Sequence, residues 1–141
     1  MNKSIFTQII EGTIPCHKIY EDQHVIAILD IHPMSTGHTL LIPKQQIDHL
    51  WDLPAELYEH MWRVAKNTIT PALQQILKPI RVGAIVEGFG VPHAHIHLIP
   101  INTGEELKQH QDLGSEPDHA ALAKIAEQLK KGIDEIAQNN T

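Results

Sequence analysis

Three histidines alternate with single apolar residues in one short stretch of the chain. The stretch reads His93, Ala94, His95, Ile96, His97, Leu98 and Ile99. Successive side chains of a strand point to opposite faces, so a strand would place the three imidazoles on one face, about 7 Å apart per step. Positions two apart on a helix do not share a face. The pattern therefore predicts a strand over residues 93–99, with Ala94, Ile96 and Leu98 facing the core.

The remaining hydrophobic pattern predicts a single α+β domain with a mainly antiparallel sheet. Continuous apolar runs indicate strands over residues 25–29, 38–42 and 82–86, and a hairpin begins at residue 18 with its turn at residues 21–23. A short helix over residues 4–11 has Ser4 as its cap and Gly12 at its end. Apolar spacing predicts a long helix over residues 57–77, which Pro71 should kink, and a last helix from about Asp118.

Composition excludes several classes of partner. The formal net charge of -6 provides no basic surface for a nucleic acid polymer. No window approaches the roughly 20 apolar residues of a membrane span, and no signal peptide is visible, so we expect a soluble, cytoplasmic protein without a membrane partner. Cys16 is the only cysteine, which excludes an internal disulfide and a zinc site built on a cysteine pair.

A row of imidazoles is well suited to phosphoryl chemistry. A neutral ring nitrogen can attack phosphorus and form a covalent intermediate that water later cleaves. Neighbouring imidazoles can donate hydrogen bonds to the phosphoryl oxygens, and crowding disfavours protonation of every ring at once. Two other interpretations stay open from the residues alone: a solvated strand face, or a zinc site that uses His-x-His ligands. Strand neighbours fan out, and no fourth ligand follows the motif, which weakens the zinc interpretation.

The stretch 93–99 resembles the signature of the histidine triad (HIT) family, in which three histidines are separated by apolar residues. Residues 27–33 (AILDIHP) and 37–44 (GHTLLIPK) resemble the second block of that family, and residues 5–15 agree with its opening segment. The resemblance covers about residues 4–105. It implies a HIT domain there, with residues 106–141 as a C-terminal extension of the same domain.

The resemblance implies a HIT-like α+β fold with one long helix, short N-terminal and C-terminal helices, and a homodimer joined across the long helix and a neighbouring strand. It implies a metal-independent hydrolase or transferase that cleaves a phosphoanhydride or phosphoramide bond at the α-phosphate of a small purine nucleotide, through a covalent nucleotidyl-histidine intermediate. This is the class of nucleoside phosphoramidases and dinucleoside polyphosphate hydrolases, with no cofactor.

The family pattern also assigns roles to residues of this chain. His95 resembles the nucleophile, His93 and His97 its phosphate-binding and orienting partners, and His38 the histidine packed beside it. Asp30 resembles the acceptor of the ribose hydroxyls. The apolar slot for the base would be formed by Ile5, Phe6, Ile9, Ile28, Leu29 and Ile31. Taken singly, Asp30 could equally cap its loop, His38 could be a core histidine, and the apolar residues could be ordinary core.

Two departures from the family pattern affect function. Many relatives bind a structural zinc through two cysteines and a histidine, where this chain has Ser4, Thr7 and Gln46; we expect that zinc to be absent. The loop 87–92 before the triad is shorter than in relatives and lacks their amide side chains. A nucleoside monophosphate-binding module with little catalysis is therefore an alternative, as is, less favourably, a His-ligated metalloprotein. The polar segment 103–117 could cover the site or extend a dimer contact.

Overall fold

The computed structural model describes residues 2–139, and an antiparallel sheet of five strands forms its centre. The strands are β1 (Lys18–Glu21), β2 (Val25–Leu29), β3 (Thr39–Pro43), β4 (Arg81–Ile85) and β5 (Ile96–Ile101), in the spatial order β1-β2-β3-β5-β4. All neighbouring pairs are antiparallel. The predicted α+β class and mainly antiparallel sheet are confirmed.

The helices lie on both faces of this sheet. Helix α1 (Ile5–Ile10) is followed, after β3, by α2 (Ala55–Val64) and α3 (Thr70–Leu77), and α4 (His119–Asn139) ends the described chain. The Ser4 side chain caps α1 by accepting a hydrogen bond from the Thr7 amide, as predicted. The C-terminal helix, expected to be short, has 21 residues and packs against α3 and β1. Residues 140 and 141 of the predicted extension lie outside the described residues.

A π-helical turn separates α2 from α3. It covers Ala65–Ile69, immediately before Pro71, which lies in the first turn of α3. Proline has no amide hydrogen to donate, and its ring collides with the carbonyl four residues earlier, so the helix widens ahead of it. The predicted interruption of the long helix at Pro71 is confirmed.

The two faces of the sheet bury different apolar sets, because side chains alternate along each strand. One face packs against α2, α3 and α4, and Leu29, Leu41, Ala94, Ile96 and Leu98 belong to that core. The opposite face packs against α1 and contains a smaller cluster: Phe6, Ile26, Ile28, Leu40 and Ile42. The predicted inward orientation of Ala94, Ile96 and Leu98 is confirmed, and the triad histidines are left for the α1 side.

The predicted strand over residues 93–99 is wrong at its start. Strand β5 begins at Ile96, and its pairing with β3 ends where Leu41 lies opposite Ile96. Pro92 cannot donate to a strand ladder, and the amide of His93 instead bonds to the Val91 carbonyl at 2.8 Å. His93 and His95 therefore precede the strand, and the triad is not a straight row of equal steps.

No helix among residues 2–139 combines the length and the apolar composition that crossing a membrane requires.

Candidate active site

His95 is held by the backbone of its own segment. Its Nδ1 lies 2.7 Å from the carbonyl oxygen of His93. A carbonyl only accepts, so Nδ1 carries the proton, and the neutral ring keeps its lone pair on Nε2. The ring contacts Phe6 edge-on, with centroids 4.9 Å apart, and His97 at 4.9 Å. The position and tautomer of His95 are thus fixed by one carbonyl and two neighbouring rings.

His38 and His97 form a directed hydrogen-bond chain. The amide of Met34 donates to His38 Nδ1 at 3.0 Å, which leaves the His38 proton on Nε2. That Nε2 lies 2.9 Å from His97 Nδ1, so His97 accepts there and carries its own proton on Nε2. His97 Nε2 is buried and has no hydrogen-bond partner among the described residues. The chain therefore ends in an N–H group that is available to an oxygen atom in the site.

His93 does not point into the site in the same way as the other two. Its Nε2 donates to the Pro43 carbonyl at 2.7 Å, and its Nδ1 accepts from Ser4 Oγ at 2.7 Å. Both ring nitrogens are therefore used to join α1 to the end of β3. The contribution of His93 to the site is its backbone carbonyl, which orients His95.

Hydrogen-bonded side chains occupy the three positions at which many relatives bind zinc, Ser4, Thr7 and Gln46. Thr7 Oγ1 donates to Gln46 Oε1 at 2.6 Å, and the Ser4 amide donates to the same oxygen at 2.9 Å. Hydroxyl and amide oxygens are poor zinc ligands compared with thiolates. This donor set does not fit the structural zinc of relatives, and it ties α1 to the loop after β3 through direct hydrogen bonds.

A different group of residues brings possible metal ligands close together. Donor atoms of Asp30, His38 and His97 all lie within 4.8 Å of one another. This group includes only one member of the triad, His97. The geometry therefore does not favour a metal site made of His93, His95 and His97. In the structure His38 Nδ1 and His97 Nδ1 are already engaged in the chain described above.

The buried histidines are held neutral. Burial lowers the pKa of His38 to about 4, although the nearby Asp30 carboxylate opposes the shift. Burial likewise lowers the pKa of His97 and of His93, and the neighbouring His95 adds to both shifts. Charged imidazole is costly where no water can reach it. Near pH 7 these rings are therefore neutral, as the tautomer chain requires.

These shifts predict a loss of stability in mild acid. The unfolded chain protonates its histidines near pH 6.5, whereas His38 resists protonation until about pH 4. The unfolded state then binds more protons, so the free energy of unfolding falls as pH decreases from 6.5 to 4. His38 alone contributes a loss of about 3 kcal/mol over this range.

Urea denaturation at pH 7 and at pH 4.5 measures this effect. A variant that replaces the exposed His49 by glutamine is expected to show the same decrease. Equal stability at the two pH values in the wild-type protein would contradict the buried, neutral state of His38.

One cavity is lined by every residue that was predicted to bind the base or the ribose. It has a volume of about 440 Å³ and is bordered by His95 and His97. The predicted residues on its wall are Ile5, Phe6, Ile9, Ile28, Leu29, Asp30 and Ile31. The side chain of Leu29 belongs to the core on the other face of the sheet, so it is a border residue. Neither His38 nor His93 lines this cavity, which we call the nucleoside slot after the ligand that the sequence analysis expects there.

Two residues of the slot come from the C-terminal segment and were missed by the sequence reasoning. Gln111 Nε2 donates to Asp30 Oδ2 at 2.8 Å and to the His32 carbonyl at 2.9 Å. Leu113, 69% exposed, lies on the wall of the slot. Gln111 and Leu113 of the polar segment thus border the slot, which agrees with the first of the two roles expected for it. These two residues lie outside any helix or strand, so no periodicity could have signalled the contact.

Comparison with known proteins agrees with this geometry. Residues 11–104 match the model of the HIT domain. The chain is 38% identical over 101 residues to Protein hit of Bacillus subtilis, an alignment that covers 68% of this chain and 69% of that protein. It is 33% identical over 119 residues to Adenylylsulfatase HINT3 of Arabidopsis thaliana, covering 77% of this chain and 60% of that protein.

A solved structure shares the whole architecture. The crystal structure of a Zn-bound histidine triad family protein from Mycobacterium smegmatis superposes with a TM-score of 0.81 at 28% identity, covering 96% of both chains. The sequence match, the fold and the placement of the histidines lead to the same conclusion. This chain belongs to the histidine triad (HIT) family of nucleotide-binding hydrolases and transferases.

Proposed function

We propose that this protein cleaves a phosphoanhydride or phosphoramide bond at the α-phosphate of a small purine nucleotide, with His95 as the covalent nucleophile. One observation carries the proposal: the Nδ1–H group of His95 donates a hydrogen bond to the His93 carbonyl, and its ring borders a cavity of nucleoside size. A lone pair on Nε2 of a neutral imidazole is the nucleophile that attack on phosphorus needs.

In the first step, His95 Nε2 forms a bond to the α-phosphorus, and the bond from phosphorus to the leaving group breaks. The leaving group keeps the electron pair of that bond. The nucleotidyl ring becomes cationic, and the His93 carbonyl, which accepts from Nδ1 at 2.7 Å, stabilises this charge. The Nε2–H group of His97 donates to a phosphoryl oxygen as negative charge develops there.

In the second step, water attacks the same phosphorus, and the bond to Nε2 breaks. The electron pair returns to Nε2, one proton of the water passes to solvent, and the nucleoside monophosphate is released. His38 takes no part in bond making. It is a positioning residue, since its Nε2–H keeps His97 in the tautomer that donates into the site.

Asp30 is the proposed acceptor for the ribose hydroxyls. Its Oδ1 accepts from the His32 amide at 2.9 Å, and its Oδ2 accepts from Gln111. A ribose that reaches Oδ2 would share or replace the Gln111 hydrogen bond. A 2′,3′-dideoxynucleoside monophosphate is therefore expected to bind roughly ten-fold more weakly than the ribonucleotide in calorimetry. Equal affinities would contradict this role of Asp30.

The experiment that tests the proposed function is the trapping of the covalent intermediate. The protein is mixed with an adenosine phosphoramidate or a diadenosine polyphosphate, quenched within milliseconds to seconds, and measured by intact-mass spectrometry. We expect a mass increase equal to one nucleotidyl group. Binding of a nucleoside monophosphate with neither turnover nor adduct would instead favour the alternative of a binding module, which the short loop 87–92 suggests.

We also propose that the protein acts as a homodimer. Strand β4 is one edge of the sheet and pairs with β5 alone among the described strands, and the long helix that ends with α3 comes directly before it in the chain. An unpaired edge beside a helix is a surface on which a second copy could extend the sheet. Sedimentation equilibrium at micromolar concentration tests this, and a monomeric mass would contradict it.

A further inference from the structure

A second cavity borders His95, separate from the nucleoside slot. It has a volume of about 390 Å³ and shares only Glu87 and His95 with the slot. Its walls come from two loops, the one after β3, which contributes Trp51, and the one before the triad, which contributes Phe89. If a nucleotide were bound with its phosphorus at His95, its nucleoside would therefore lie in one cavity, and the second cavity would be available to the leaving group.

Two aromatic side chains of this second cavity are unusually exposed. Phe89 is 91% exposed and Trp51 is 70% exposed. Trp51 has one ring contact, with Tyr58 at a centroid distance of 6.0 Å. Leaving such rings in water forgoes the free energy of burial, and neither ring belongs to a core cluster. Large apolar side chains grouped at a cavity mouth mark a binding surface.

We propose that Trp51 and Phe89 form a subsite for the leaving group, and that this subsite selects leaving groups that carry a planar aromatic ring. This inference rests on the proposed function and deepens it. Aromatic rings stack on each other with a preference beyond apolar burial alone. The adjacent loop contributes Gly88, whose φ of +76° and open surroundings allow the loop to turn close to the bound group.

The charges of the subsite restrict further which leaving groups it can accept. Asp48 and Glu87 line it, and no lysine or arginine is among its lining residues. A polyphosphate chain would meet two carboxylates, and the basic side chains beside them are the imidazoles of His49 and His95, with no lysine or arginine, which is unfavourable. A neutral or cationic group meets no such penalty. Of the two bond types that the family leaves open, the subsite favours the phosphoramide of an amine that carries an aromatic ring.

The reaction balances with this leaving group. Nε2 of His95 forms its bond to phosphorus as the phosphorus–nitrogen bond breaks, and the departing nitrogen takes a proton from solvent. Hydrolysis of the nucleotidyl-histidine returns one proton to solvent. The sum is one phosphoramidate and one water converted to one nucleoside monophosphate and one amine.

Three adenosine 5′-phosphoramidates test the inference. Their amines are 2-phenylethylamine, 2-cyclohexylethylamine and ammonia, so the first two differ in aromaticity at similar size, and the third leaves the subsite empty. We expect kcat/KM for the phenylethyl compound to exceed that of the cyclohexylethyl compound about five-fold. The substitutions Trp51→Ala and Phe89→Ala should each reduce this ratio, and the double variant should bring it close to one.

The controls separate this inference from the proposed function. Ile80→Ala removes an exposed apolar side chain (73% exposed) outside the subsite and should leave the ratio unchanged. Equal kcat/KM for the two larger substrates, with the ammonia compound still cleaved, would overturn the subsite while the proposed function stands. The same loss on all three substrates, together with a changed sedimentation coefficient of the Trp51 or Phe89 variant, would assign these rings to a subunit contact and also overturn it. No turnover of any compound would overturn both proposals.

Discussion

Replacing His95 by asparagine is expected to lower kcat by at least ~10⁴-fold, because removal of a covalent nucleophile leaves only binding and electrostatic stabilisation. The amide nitrogen of asparagine can still donate to the His93 carbonyl, which now accepts from Nδ1. The local structure is therefore retained, while no nitrogen lone pair faces phosphorus. Steady-state kinetics on an adenosine phosphoramidate measures the loss, and calorimetry with a nucleoside monophosphate measures binding, which should change little.

The matched control is His24→Asn, an exposed histidine that lies outside the nucleoside slot. It should retain full activity. A His95→Asn protein that turns over substrate at a near-normal rate, or still forms the nucleotidyl adduct, would exclude His95 as the nucleophile.

Substituting alanine for Gly37 is expected to destabilise the protein by about 2–4 kcal/mol, since two separate costs add. Gly37 has a φ of +90°, a conformation that residues with a Cβ rarely adopt. A Cβ there would also overlap Leu77 Cδ1 and approach Pro100 Cγ to 3.3 Å. Leu77 would have to shift to admit the Cβ, and the buried ring of Pro100 in β5 limits the space that is left. Urea denaturation at pH 7 measures the change in the free energy of unfolding.

Gly12→Ala provides the matched control for the backbone term alone. Gly12 has nearly the same φ, +88°, and a Cβ there would meet nothing within 4 Å. Its expected cost is about 1–2 kcal/mol. If the two variants lose the same stability, packing against Leu77 contributes nothing, and the close approach at Gly37 has no energetic role.

The sequence predicted the fold class, and the residues that it assigned to the base and the ribose border one cavity, for identifiable reasons. Runs such as residues 25–29 are continuous and apolar, so they indicate buried strands without help from the rest of the chain. The family blocks then assigned Asp30 and the apolar wall, and all of these residues border one cavity. Strand ends were less predictable, and those of β3 and β4 each differ by one residue from the expected positions.

The geometry of the triad could not be predicted from alternation. Side chains alternate between faces only within a strand. The turn around Pro92 keeps His93 and His95 out of the strand, which begins at Ile96. The separate use of His93, as a bridge between α1 and β3, depends on Ser4 and Pro43, which lie far from it in sequence. The cover formed by Gln111 was equally hidden, since a hydrogen bond across 81 residues leaves no local pattern.

Main-chain groups decide which nitrogen of His38, His95 and His93 carries hydrogen: the Met34 amide, the His93 carbonyl and the Pro43 carbonyl. Any amino acid supplies a carbonyl, and any except proline supplies an amide hydrogen. The side chain at residue 34 can therefore diverge during evolution without altering proton placement in the site. A search for invariant side chains would overlook these groups, because the path of the backbone, and not the identity of a side chain, preserves them.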